Sequence, residues 1–206
     1  MDGSLFITFE GPEGGGKTTQ ISLLQTYLES TGLPVLVTRQ PGGDPVGIEL
    51  RKIMLDLGRA NISIRAELLL MMADRSQSVD TVIQPFLTQG GVVICDRYSD
   101  SSVAYQGGGR GIDIGWINRL NSYATNGLSP DITFLLDIDP LIGLTRQQDR
   151  NRMEELDLAF HERVRTTFLA LAEQHPNRIY TIDASHSVET VHSEIRTLVD
   201  QLIKVC

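Results

Sequence analysis

At 206 residues, with 18 basic against 26 acidic side chains, the chain carries a formal charge of −8, which disfavours a nucleic-acid polymer as principal ligand because binding a phosphate backbone needs a positive surface. A hydrophobic fraction of 41% and a charged fraction of 21% suit a water-soluble protein with one core, expected as a single domain over residues 1–206. No apolar stretch approaches a membrane span, Cys95 and Cys206 are too few for a disulfide framework, and Met1-Asp2-Gly3-Ser4 lacks a secretory pattern, so a cytoplasmic location is expected.

The apolar run Leu5–Phe9 predicts a first strand. Directly after it, Gly11-Pro12-Glu13-Gly14-Gly15-Gly16-Lys17-Thr18 forms a complete Gly-x-x-x-x-Gly-Lys-Thr phosphate loop. Ile21, Leu24 and Leu28 then recur at helical spacing, predicting a helix over Thr18–Ser30. Strand, glycine loop and helix are the context this motif needs: backbone N–H groups converge on one concavity, and the helix N-terminus adds unpaired donors. Lys17 is then placed to reach the β- and γ-phosphates, and the Thr18 hydroxyl to meet Mg²⁺. A nucleoside triphosphate is the expected ligand.

Further strands are predicted at Val35–Thr38, Val92–Cys95, Ile132–Asp137 and Ile179–Ile182, several as continuous Val/Ile/Leu runs suited to a sheet covered on both faces. Helices are predicted over Val46–Leu57, Arg65–Phe86, Ile114–Ala124, Pro140–Ala172 (with a break) and Val188–Val205. Strands alternating with helices give a doubly wound α/β fold with five parallel strands. In such folds ligands lie at the carboxyl ends of strands, and the chemistry-bearing residues fall there. Arg39, Gln40, Pro41, Gly42 and Gly43 follow the second strand. Asp96, Arg97, Tyr98, Ser101, Ser102, Tyr105 and Gln106 follow the third.

Asp96 closes an apolar strand, where a second metal-associated carboxylate belongs in a phosphate-loop protein. Arg97 and Arg39 stand at neighbouring strand ends and are candidates to grip a second phosphate group in a planar fork. Phosphoryl transfer asks for charge neutralisation rather than a covalent partner, and His161, His175, His186 and His192 fit no triad or metal spacing, so surface positions are expected for them. Arg146 and Arg150, four apart in the polar run Arg-Gln-Gln-Asp-Arg-Asn-Arg, share a helix face. On spacing alone they are either cations on a mobile lid or a solvated charged face.

The strings Phe9–Gln20, Thr38-Arg39-Gln40-Pro41-Gly42-Gly43, Ala73-Asp74-Arg75, Asp96-Arg97-Tyr98, Ser101–Gly107 and Phe160–Arg165 together resemble bacterial thymidylate kinases, in order, over about residues 5–172. The resemblance implies ATP-dependent phosphorylation of dTMP to dTDP, with Mg²⁺, in a homodimeric enzyme of the nucleoside-monophosphate-kinase type. Residues Gly11 to Thr19 would hold ATP, with its adenine toward Asp183–Ser185, and Thr18 and Asp96 would serve the metal. Glu13 would hold the sugar 3′-hydroxyl or a metal-bound water, while Arg39 and Arg97 would bind the acceptor phosphate. Arg75, Ser102 and Gln106 would recognise the base beside Met71 and Ser101, with Tyr105 crowding the 2′ position. A glutamate in the phosphate loop resembles the class whose catalytic arginine comes from the lid, here about residues 144–154, which favours Arg150 and then Arg146. The chain departs from the pattern at Gln40 (commonly Glu), Met71 (commonly Phe), Asn151 (commonly Asp) and in a shorter lid. Gln40–Pro41 is a candidate cis peptide, although trans has the higher base rate. Gly107–Gly111 is expected as a mobile loop.

Overall fold

Five strands, β1 Leu5–Glu10, β2 Val35–Arg39, β3 Val92–Asp96, β4 Ile132–Asp137 and β5 Ile179–Asp183, form one parallel sheet in the order β2-β3-β1-β4-β5. This computed structural model describes residues 4–55, 62–146 and 155–203. Strand residues alternate between two covered faces, which is why the sequence shows unbroken apolar runs. On one face, Leu5, Ile7 and Phe9 pack with Ile21, Leu24 and Leu28 of α1 (Lys17–Ser30) and with Val191, Ile195 and Val199 of the last helix, Val188–Ile203. On the other, Phe6, Val93 and Cys95 meet Val79, Ile83 and Leu87, while Leu135 and Ile179 meet Tyr105, Phe160, Val164 and Phe168. Burying each such side chain contributes about 1.5–3 kcal/mol before entropy is counted.

The remaining helices are α2 Pro45–Leu55, α3 Ile64–Ser78, α4 Gln84–Thr88, α5 Ser99–Ser102, α6 Ile114–Ala124, α7 Pro140–Thr145 and α8 Leu158–Gln174, so the last helix is α9. The helix expected over Arg65–Phe86 runs through α3 and α4 with a π-helical stretch, Val79–Ile83, between them. The one expected over Pro140–Ala172 is resolved into α7 and α8, and residues 147–154 between them, with Arg150 and Asn151 of the expected lid, lie outside the described residues.

Two expectations need correction. Gly107 to Gly109 are not loop: they complete a second π-helical segment, Val103–Gly109, packed against α8. A Cβ on Gly108 would collide with the Thr167 hydroxyl, and one on Gly109 with the Phe160 ring. These glycines are therefore close-approach positions, and Gly111, at φ +77°, ends the turn. His161 is buried rather than at the surface, because the register of α8 turns it inward beside Phe160 and Val164.

Candidate active site

α1 begins without a side-chain cap and without an acidic residue in its first turn; Gly16 at its N-cap is left-handed, at φ 80°. By contrast α3, α6, α7 and α8 each have a Ser or Asp side chain bonded to an N-terminal amide. The first amides of α1 are thus left for an anion, the use a phosphate loop makes of them. The loop sits close upon its neighbours. A Cβ on Gly11 would strike the Leu136 carbonyl, and one on Gly14 would strike Gly143 of α7, so glycine is required at both.

A cavity of about 380 Å³ opens at the carboxyl ends of β1, β2 and β3. Glu13, Gly14, Gly16, Lys17, Thr18, Arg39, Met71, Arg75, Asp96, Arg97, Ser101, Ser102, Tyr105, Gln106 and Arg146 all line it. Gly11, Pro12 and Gly15 form the rest of the loop without lining the cavity, and Thr19 is exposed on α1. Arg51 of α2 also lines it, and its Nη1 donates to the Pro41 carbonyl at 3.0 Å. Arg51 was not legible in the sequence, because it lies inside α2 and not at a strand end. Six cations (Lys17, Arg39, Arg51, Arg75, Arg97 and Arg146) face two carboxylates there, so a chain of net negative charge presents a locally positive cavity.

Arg97 is the hub of the cavity wall. Its backbone is left-handed at φ 68°, which swings the side chain back over the loop. Nη1 donates to Gly11 O at 3.0 Å and Ser101 Oγ at 3.3 Å, and Nη2 to Glu13 Oε1 at 2.7 Å. The guanidinium lies 5.0 Å from the Tyr105 ring centre, and the Tyr105 hydroxyl donates to the same Glu13 oxygen at 3.0 Å. Burial opposes a charge on Glu13, yet Arg97, Lys17 and the Tyr105 hydroxyl outweigh it and hold the carboxyl at about 2. Burial works against Arg97 as well, and Glu13 foremost among its anionic neighbours raises its pKa. Tyr105, pushed up chiefly by burial, stays a neutral donor.

Lys17 folds over its own loop, with Nζ donating to Gly11 O at 3.1 Å and Pro12 O at 2.7 Å. Burial, and then the charge of Arg97, bring its ammonium down to about 8. Asp96 pairs across the sheet register with Phe9 and Arg39, and its Oδ2 is 3.9 Å from Arg39 Nη2. Its Oδ1 is buried and has no hydrogen-bond partner among the described residues. An unpartnered carboxylate oxygen beside the phosphate loop, with the Thr18 hydroxyl on the same cavity, fits an Mg²⁺ carried by a triphosphate.

The far end of the cavity is built around Arg75, only 2% exposed. Its Nε donates to Gln40 Oε1 at 2.9 Å, Nη1 to Ser102 Oγ at 2.9 Å and Asn121 Oδ1 at 2.6 Å, and Nη2 to Tyr98 O at 2.8 Å. A planar cation is thus fixed by neutral acceptors, in a turn where Gln40–Pro41 is cis. Glu67 holds the Gln106 amide at 3.1 Å. Glu10, buried at the end of β1, accepts from the amides of Tyr98, at the N-cap of α5, and Ser101, within it, and so fixes the start of that helix; burial and then Asp100 raise its pKa. Glu10, like Arg51, was missed, although an acid closing an apolar strand was the signal that picked out Asp96.

The thymidylate kinase family model matches residues 9–195. The chain belongs to the thymidylate kinase family. It is 50% identical to the thymidylate kinase of Gloeobacter violaceus, over 95% of this chain and 94% of that one. It is 45% identical to that of an Exiguobacterium species, over 93% and 92%. The crystal structure of Ehrlichia chaffeensis thymidylate kinase superposes with a TM-score of 0.81 at 34% identity, covering 95% of this chain and 98% of that one. The activity is accordingly phosphorylation of dTMP to dTDP by ATP, and the five-stranded α/β architecture is that of the phosphate-loop nucleoside-monophosphate kinases.

Proposed function

We propose that the cavity performs this phosphoryl transfer with the γ-phosphate at the glycine loop and the dTMP phosphate at Arg97, Arg39 and Arg51. The observation that carries the reading is the position of Arg97: it shares one cavity with Lys17 and bonds the Gly11 carbonyl of the loop itself. An oxygen of the dTMP phosphate attacks the γ-phosphorus in line, the bond to the β,γ-bridging oxygen breaks, and ADP leaves with that electron pair. Lys17 releases the Gly11 and Pro12 carbonyls and turns to the β- and γ-oxygens, where its charge neutralises the leaving group. Glu13 orients Arg97 and, being ionised, is available to the sugar 3′-hydroxyl. Arg75, Ser102 and Gln106 meet the base, Met71 supplies an adaptable apolar contact beside it, and Tyr105 bounds the sugar. Thr18 and Asp96 would hold Mg²⁺, which when bound neutralises phosphate charge.

The lid, residues 144–154, closes the site in this reading with Arg150 and Arg146 as its cations. Arg146 supports it: its Nη1 donates to Gly14 O at 3.2 Å, so this exposed side chain already reaches the phosphate loop. Adenine lies toward Asp183–Ser185, next to the end of β4 in the sheet. No described helix is long and apolar enough to cross a membrane, and a cytoplasmic enzyme acting on free nucleotides is consistent with that. A homodimer is proposed through α3 and α6, which pack together and leave Leu69, Trp116 and Tyr123 at 59%, 49% and 88% exposure. Light scattering after gel filtration should give twice the chain mass, and Tyr123→Glu should shift it toward the monomer; a monomeric wild type contradicts the dimer.

A coupled ADP-release assay tests the function. ADP release should require a nucleoside monophosphate acceptor and be faster with dTMP than with the cytidine, uridine or guanosine monophosphates, and Lys17→Ala should abolish it. Absence of dTMP-dependent turnover by the wild type would refute the reading.

A further inference from the structure

Glu67, Met71 and Arg75 follow one another at four-residue intervals along α3 and so share a helix face. Met71 and Arg75 line the cavity, whereas Glu67 stands in the first turn of the helix, behind Gln106. Glu67 and Gln106 are each only 1% exposed. Gln106 lies on the π-helical segment Val103–Gly109, lines the cavity, and donates from Nε2 to Glu67 Oε1 at 3.1 Å. Arg110, which ends that segment, holds the same carboxylate through Nε to Oε1 at 3.3 Å and Nη2 to Oε2 at 3.1 Å. Its guanidinium lies 5.2 Å from the Phe160 ring centre, so α8 helps to hold it in place.

This ion pair decides which end of the Gln106 amide meets a ligand. The two ends are alike in shape and opposite in polarity, an NH₂ donor against a carbonyl acceptor. A carboxylate paired with a guanidinium accepts and does not donate, so it draws the NH₂ and rejects the carbonyl. With Nε2 held by Glu67, Oε1 is the end turned away from it, on a residue of the cavity wall. Arg75, on the same wall, has donors alone.

We propose that Glu67 is a positioning residue for base choice: it holds Nε2 of Gln106 so that the amide carbonyl is offered to the base. This rests on the reading that Gln106 and Arg75 meet the base. The site then offers a donor from Arg75 and an acceptor from Gln106. Thymine carries the complement, a carbonyl next to a ring N–H. Cytosine carries the reverse, an amino group next to a bare ring nitrogen, and would set donor against donor and acceptor against acceptor. Polar groups left mismatched in a closed site are strongly rejected. Glu67 thus governs selectivity without touching substrate.

The test is the ratio of calorimetric dissociation constants for dTMP and 5-methyl-dCMP, which differ only in that carbonyl and ring N–H. In Glu67→Gln the side-chain NH₂ can donate to Gln106 Oε1 and turn the amide round, so the preference for dTMP should fall by about tenfold. Glu67→Met, which has no acceptor oxygen, should lower it as well. In Glu67→Gln, KM for dTMP should rise while kcat and the KM for ATP change far less. Gln106→Ala should also lower the preference, and Glu67→Gln should add nothing in that background. A wild-type preference retained in both Glu67 variants, with Gln106→Ala lowering it, overturns the proposal. So does an equal fall from Glu67→Gln with and without Gln106, the result that a general loosening of the structure would give. A preference that Gln106→Ala leaves intact overturns instead the assignment of Gln106 to the base, and the role of Glu67 with it.

Discussion

Arg97 and Lys17 compete with their own loop for the groups they would give to phosphate. Arg97 is engaged by Glu13 and Gly11, and Lys17 by Gly11 and Pro12. Binding therefore exchanges internal bonds for phosphate bonds, and the strength of a guanidinium–phosphate fork decides that exchange. Arg97→Ala should lower kcat/KM for dTMP by about 10²-fold or more while changing the KM for ATP far less. An equal loss on both substrates, in steady-state kinetics, would place Arg97 elsewhere in the reaction. Lys17 sets the pH response. At about 8 its pKa in the free protein lies below the ordinary lysine value of 10.5, so between those values the free side chain is largely neutral. A bound triphosphate favours the charged form, so ATP binding at pH 9 should take up a proton, and affinity should fall as pH rises above 8. Calorimetry in buffers of different ionisation enthalpy reads the uptake, and Lys17→Met should remove it. At this scale the sequence was informative where a residue sits directly after a strand, as Arg97 and Asp96 do. It was silent on Arg51, which reaches the cavity only because α2 folds back over the Pro41 carbonyl.

At the scale of elements, the five strands and most helices were readable because several strands are continuous apolar runs and the longer helices carry apolar residues at helical spacing. The π-helical segments were not. A π turn has no sequence period of its own, and Gly107-Gly108-Gly109 in isolation reads as a flexible loop. The reason for Gly108 and Gly109 lies more than fifty positions later in the sequence, in Thr167 and Phe160 of α8. They let α8 approach the segment that carries Tyr105 and Gln106, so packing there supports the site. Gly108→Ala should cost about 1–3 kcal/mol by overpacking, and Tm should fall by several degrees in a melting scan. An unchanged Tm would mean that the π segment and α8 are not in contact in solution. The loop-to-α7 contact is a similar case: Gly14 and Gly143 leave no room for a Cβ on either, so α7 is seated on the phosphate loop.

Across the whole molecule, charge is separated. A chain of net charge −8 concentrates six cations, among the described residues, in one cavity, which favours small phosphate esters there and disfavours polyanions on the rest of the surface. The doubly wound topology makes this arrangement possible by bringing the ends of β1, β2 and β3 together. Those ends carry the glycine loop, proposed to take the donor phosphates, and, beside it in the same cavity, Arg39 and Arg97, proposed to take the acceptor phosphate. The central claim is that these two anion sites face one another within a single cavity. It is tested most directly by the affinity of a ligand joining adenosine and thymidine through five phosphates, measured by calorimetry against ATP and dTMP separately. The linked compound should bind more tightly than either nucleotide, and Lys17→Ala and Arg97→Ala should each weaken it. A linked compound that binds no better than ATP, and is indifferent to Arg97→Ala, would contradict the account.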